Sequence, residues 1–213
     1  MHDRPGNKNY ELLELANGKT VLPLMATAAE YLSELKKLIN PAIVGVGPVE
    51  AAINTCRIIE RLQVTPDFVV LLGSAGSAIL GQGEVYQASS VSYRDMDATP
   101  LGFAPGQTPF LEQPPIIHLP HTVPDIPSVS LSTGGNIILT DQFDLIEQDM
   151  VDMESYAVQR VCQSYDLDLI VLRGISDGPK ELKVYEDWTE LLPTVDKNLA
   201  TAFQTTVNWL AKK

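Results

Sequence analysis

The sequence predicts an α/β fold organised on a parallel sheet. Three observations carry that expectation. Short apolar stretches at residues 20–25, 41–46, 67–72, 128–133 and 169–172 have the length and β-branched content of buried strands. Small-residue turns follow them at Gly45-Val46-Gly47, Gly73-Ser74-Ala75-Gly76, Gly134-Gly135 and Gly174-Ile175-Ser176-Asp177-Gly178. Segments with helical apolar spacing separate the strands, so strand, glycine turn and helix alternate.

Taken in order, residues 1–19 are a polar lead-in, in which residues 10–15 form a short helix or an edge strand. Residues 20–25 are the first strand, although Pro23 is awkward in a central ladder because it lacks an N–H. Residues 26–35 have helical spacing, with Thr27 as N-cap and Glu30 in the first turn. From position alone, Glu30 reads as a solvated carboxylate favoured by the helix dipole. Gly45-Val46-Gly47 opens a helix that runs to about residue 62, and without the rest of a dinucleotide fingerprint it is no NAD site. The 73–76 turn offers backbone N–H groups to a ligand. Residues 83–92 form a further strand. Residues 102–127 hold seven of the fifteen prolines and are expected to be a surface loop without regular structure. A short helix is expected at 141–147 and a longer one over 188–213.

The chain centres on residues 151–178. Met153, Tyr156, Ala157 and Val161 follow a helical period, and residues 169–172 form the next strand. This puts Glu154 near a helix start and Asp177 just past the carboxyl end of a strand, where α/β sheets collect ligands.

Composition narrows the function. A net charge of −12 argues against a nucleic acid or an anionic membrane as partner. Cys56 and Cys162 lie in apparent helices and read as buried thiols suited to a reducing, cytoplasmic compartment. No Cys/His cluster has zinc spacing. His118 and His121 fall in the proline-rich loop and read as solvated. The start of the chain is polar and lacks the apolar core of a signal peptide, and no apolar run reaches membrane-spanning length.

Together, the segments GVGPVEAA, LLGSAGSAIL, SYRDMDATPLGF, STGGNIIL, VDMESYAV and LRGISDG resemble, in that order, the purine nucleoside phosphorylase and nucleosidase superfamily. The closest likeness is to the 5′-methylthioadenosine/S-adenosylhomocysteine nucleosidases, over residues 20–213. The resemblance implies a single-domain, three-layer α/β/α fold with a central mixed, mostly parallel twisted sheet. It also implies a homodimer, a small-molecule nucleoside substrate, and neither metal nor organic cofactor. The implied reaction is cleavage of the bond between adenine and ribose. Such chemistry needs a proton donor at purine N7, an anchor for the ribose hydroxyls and an activated nucleophile beneath the sugar.

By the same resemblance, Asp177 is the acid and Ser176 orients it. Glu154 accepts the ribose hydroxyls, and Met153 packs beneath the sugar. Glu30 activates the water, positioned by Ser74 and Arg173. Ile137 and Ile138 stand where the family often stacks an aromatic ring on the base. Tyr185 and, from a partner subunit, Phe103 are candidate walls for the 5′ group. Residues 20–35 contain no Lys or Arg to hold phosphate, which favours water as nucleophile; Arg94 is the basic residue that would support a phosphorylase instead. A nucleoside-binding protein without turnover is the other alternative, decided by whether Glu30 faces the pocket.

Overall fold

The computed structural model describes residues 10–178 and 185–213. Nine strands form one mixed sheet: β1 (Leu13–Glu14), β2 (Thr20–Met25), β3 (Ala42–Ile43), β4 (Phe68–Gly76), β5 (Val85–Tyr93), β6 (Ile116–His118), β7 (Ser128–Thr133), β8 (Met150–Asp152) and β9 (Asp168–Asp177). The helices are α1 (Pro48–Arg61), α2 (Ser155–Ser164), α3 (Tyr185–Thr189) and α4 (Leu192–Leu210). Among the described residues no helix is long and apolar enough to cross a membrane. The first nine residues of the expected lead-in lie outside the described residues.

Strand alternation divides the core in two. Val69, Leu71, Leu169 and Val171 pack in one cluster with Ala51 and Ile58 of α1 and Val158 and Val161 of α2. Their neighbours Val70, Leu72, Ile170 and Leu172 pack in a second cluster with Leu199, Phe203 and Val207 of α4. Both faces of the central strands are therefore apolar, which is why these runs are continuous in sequence rather than alternating.

Pairing within the sheet closes a ring. β4 pairs with β9, β9 with β5, β5 with β7 and β7 with β8, and a single rung, Gly76 with Val151, returns β8 to β4. The sheet is mixed, as the resemblance implies: β4–β9 is parallel, whereas β5–β9 and β4–β8 are antiparallel. Pro23 sits between Val21, which pairs with β1, and Leu24, which pairs with β3, so its missing donor falls where neither strand is in register.

Several local expectations are corrected. Residues 26–35 form no α-helix; the chain makes two short 3-10 turns, Ala28–Glu30 and Leu35–Lys37. Thr27 does cap the first, accepting from Ala29 N. The reason lies far away in sequence: the buried Asp196 of α4 accepts from the backbone N–H groups of Leu32, Glu34 and Leu35, holding the segment in an irregular path. The 73–76 and 174–177 stretches are not turns but the last residues of β4 and β9, since small residues let two strands continue side by side. Within the proline-rich segment, Ile116–His118 adds an antiparallel strand to β5. The expected helix at 141–147 is a 3-10 turn, Thr140–Leu145. The C-terminal helix is interrupted, and α4 starts afresh with Pro193 in its first turn. His121 is not simply solvated: it bonds Asp168 at 2.9 Å and stacks edge-on against Phe68 and Trp209.

Candidate active site

The ends of β4, β8 and β9 meet beside the ring's single closing rung. There they enclose a cavity of about 470 Å³. Its lining includes Glu30, Ser74, Asp152, Glu154, Asp177 and Trp188. The volume lies within the range of small-molecule sites.

Three carboxylates crowd one side. Glu30 is only 6% exposed although its position suggested a solvated residue. Its Oε1 accepts from Ser74 N at 2.7 Å and Ser74 Oγ at 2.5 Å, while Oε2 is buried without a partner. Burial raises its proton affinity, against the opposing pull of the Ser74 hydroxyl and Arg173. Glu154 caps α2 and accepts from Gly47 N at 3.0 Å. The glycine turn at 45–47 therefore holds a carboxylate in place; Gly47, at φ +90°, supplies a backbone shape that other residues resist. Burial pushes Glu154 up to about 8, again opposed by Arg173.

Arg173 links the carboxylates from behind. It is 0% exposed and is not among the residues lining the cavity. Its Nη2 donates to Asp152 Oδ2 at 2.5 Å, Ser155 Oγ at 3.1 Å and Glu154 Oε2 at 3.5 Å. Gly73 makes room: a Cβ there would fall on Arg173 Nη1 and crowd the Glu30 carboxylate. Burial alone would lower the guanidinium's pKa, but Asp152, Glu154 and Glu30 together hold it above its ordinary value.

Asp177 stands apart from this cluster. The β4–β9 register slips between Ala75–Ile175 and Gly76–Asp177, leaving Ser176 as the extra residue. Such bulges re-aim side chains. Here Ser176 Oγ donates to Asp177 Oδ1 at 2.6 Å. Burial raises the Asp177 pKa, opposed among the described residues by the Ser176 hydrogen bond. A carboxyl group in that condition is suited to donating a proton near neutrality.

The remaining wall is apolar. Ile137 and Ile138 line it with Val151, Met153 and Tyr185. Ile138 is buried with Phe143 and Val151, whereas Ile137 is 60% exposed at the mouth. Arg94 also lines the cavity, but its guanidinium is already committed, donating to Ser132 O at 2.9 Å, Asp152 O at 3.0 Å and Asn136 O at 2.7 Å. It holds the 132–136 backbone, while its Nε has no hydrogen-bond partner among the described residues. Phe103 is outside the lining, edge-on to Phe110 at 5.8 Å.

Three contributors escaped the sequence reading. Asp152 bonds Arg173, Ser155 and Thr133 Oγ1; its proximity to the Met153-Glu154 pair was the available signal. Gly47 was read for its flexibility and not for its N–H. Trp188, whose Nε1 donates to Ser74 Oγ at 3.1 Å, has no local sequence signal at all.

The described residues form an α/β fold on a mixed sheet, with a carboxylate-lined cavity at its strand ends. No family model matches the chain. A 5′-methylthioadenosine/S-adenosylhomocysteine nucleosidase from Colwellia psychrerythraea is 31% identical over 175 residues, 68% of this chain and 70% of the relative. By that likeness the chain belongs to the 5′-methylthioadenosine/S-adenosylhomocysteine nucleosidase family. The solved structure of a nucleosidase from Colwellia psychrerythraea, in complex with adenine, superposes with a TM-score of 0.74 at 22% identity, covering 89% of this chain and 95% of that one. The futalosine hydrolase of Helicobacter pylori shares the fold, with a TM-score of 0.76 at 18% identity over 88% and 97% of the two chains.

Proposed function

We propose that this protein hydrolyses the N-glycosidic bond of 5′-methylthioadenosine, S-adenosylhomocysteine or a related adenine nucleoside, releasing adenine and the thioribose. The observation that carries this reading is that Glu30, Glu154 and Asp177 line one cavity of nucleoside size. Asp177 delivers a proton to purine N7 as the glycosidic bond lengthens, and Ser176 holds its other oxygen. The base lies against Ile137 and Ile138. Glu154 accepts the ribose hydroxyls, with Met153 beneath the ring. Glu30 takes a proton from water through its unpartnered Oε2, while Ser74 fixes Oε1. Arg173 acts through the carboxylates behind it and does not touch the water. Tyr185 flanks the 5′ end. The same reading has the chain as a homodimer with Phe103 contributed across the interface; the exposed apolar side chains Leu101 and Phe110 beside it support this.

The test is product analysis with adenosine, inosine and methylthioadenosine, with and without phosphate. Free adenine at a phosphate-independent rate is expected; ribose 1-phosphate formation would overturn the hydrolase reading. Asp177→Asn is expected to lower turnover roughly 10²- to 10⁴-fold with little change in substrate affinity. Turnover should be bell-shaped in pH. It falls at low pH as Glu30 takes up a proton and at high pH as Asp177 loses one, and both limbs lie above the ordinary carboxylate range.

A further inference from the structure

Trp188 reaches the cavity from a helix far along the chain and touches the Ser74 hydroxyl, which in turn touches Glu30. The donor inventory makes this informative. An indole N–H only donates. Ser74 Oγ has one proton and two lone pairs. Because Trp188 Nε1 donates to that oxygen at 3.1 Å, the serine proton must point elsewhere, and Glu30 Oε1 lies 2.5 Å away to receive it. Ser74 N donates to the same Oε1 at 2.7 Å. Oε1 is thereby saturated, and Oε2 is buried without a hydrogen-bond partner among the described residues. Without the indole the hydroxyl could rotate, accept from a water and leave Glu30 without its proton. Trp188 is held in turn by Tyr185, edge-on at 5.4 Å.

We propose that Trp188 is a positioning residue for the nucleophile side of the reaction, acting through Ser74 to fix which oxygen of Glu30 receives the proton of water. This rests on the nucleosidase reading, since it assigns Glu30 a base role. Trp188 also strengthens the Ser74–Glu30 bond by polarising the hydroxyl, which favours the ionised carboxylate.

Two variants test it. Trp188→Phe keeps a ring on the cavity wall and removes only the donor. Turnover is expected to fall roughly five- to thirtyfold at unchanged KM, the size of effect one hydrogen bond commands. The acid limb of its pH profile should move to higher pH, because Glu30 loses support for its charge. In a Ser74→Ala background the same change should add nothing. An equal loss in both backgrounds, or a raised KM with an unmoved acid limb, would make Trp188 a plain wall and overturn the relay. A second readout needs no turnover. The indole N–H resonance of Trp188, assigned by its absence in Trp188→Phe, should titrate with Glu30 in the wild type but not in Glu30→Gln. A resonance flat across pH in the wild type overturns the coupling. Absence of base release by the wild type, with that titration intact, would instead sink the nucleosidase reading and leave the coupling standing.

Discussion

Arg173, fully buried, and Arg94, half-buried, lie beside the cavity, yet their surroundings shift them in opposite directions. Arg173 faces carboxylates. Despite burial, Asp152, Glu154 and Glu30 hold its guanidinium above the ordinary value. Arg94 faces backbone carbonyls of Ser132, Asp152 and Asn136, and burial pulls its pKa down, with Asp95 and Asp152 only partly opposing this. The first arginine governs charge; the second governs shape. A buried cation set among carboxylates determines how many protons its side of the cavity carries. One set among carbonyls bends a loop and leaves protonation alone.

The sharpest way to break this comparison is Arg173→Met. It removes the charge from a site holding three carboxylates, and a loss of roughly 3–5 kcal/mol in stability is expected by denaturant unfolding. The pH dependence identifies the cause. With the cation gone, Glu30 and Glu154 prefer their neutral forms in the fold even more strongly. The folded state then binds more protons than the unfolded one, so stability is kept at low pH and lost as pH rises. For Glu154 that window opens near the unperturbed 4.5 and extends past about 8, where the group already sits with Arg173 present. Since wild type and variant both hold that proton below about 8, the deficit of Arg173→Met should widen as pH rises beyond about 8. A deficit constant in pH would show that Arg173 is only packing.

Arg94→Met should behave otherwise. Three backbone carbonyls lose donors, costing roughly 1–3 kcal/mol. The deficit should be flat in pH, and the wall carrying Ile137 and Ile138 should loosen. A rise in KM on the order of tenfold, with the limbs of the pH profile unmoved, is the expected signature. Smallest of all is Asp95→Asn. Asp95 accepts from Gly135 N and lies 3.9 Å from Arg94 Nε, partly exposed, so less than about 1 kcal/mol is expected. A loss as large as that of Arg94→Met would mean that Asp95, and not the arginine, sets the loop.

The same contrast separates what was legible in the sequence from what was not. Apolar strands, helix caps and the Glu154 and Asp177 positions are local signals, and they could be read. Contacts made across long stretches of chain could not. Residues 26–35 have helical spacing, but Asp196 captures their backbone N–H groups from 161 to 164 residues away. The Gly73–Gly76 and Gly174–Asp177 stretches contain the residues of turns, yet mutual pairing keeps them extended. Pro114 and Pro115 discouraged a strand at Ile116, which β5 nevertheless accepts at its edge. Arg94 was visible as a basic residue near the site, but its carbonyl partners lie 38 to 58 residues on. Asp196→Ala offers a check on this view: it should cost roughly 2–4 kcal/mol and also depress turnover, because the released segment carries Glu30.

Nine rungs, with one slip before the last, join β4 to β9 from Phe68–Asp168 to Gly76–Asp177. Ser74 belongs to one rail of that ladder and Asp177 to the other. The span between Ser74 and Asp177, which both line the cavity, is therefore a dimension of the sheet itself, fixed during folding. A nucleoside that enters must adapt to a gauge already cut, and shifting either rail by one residue would turn its side chains toward the wrong face.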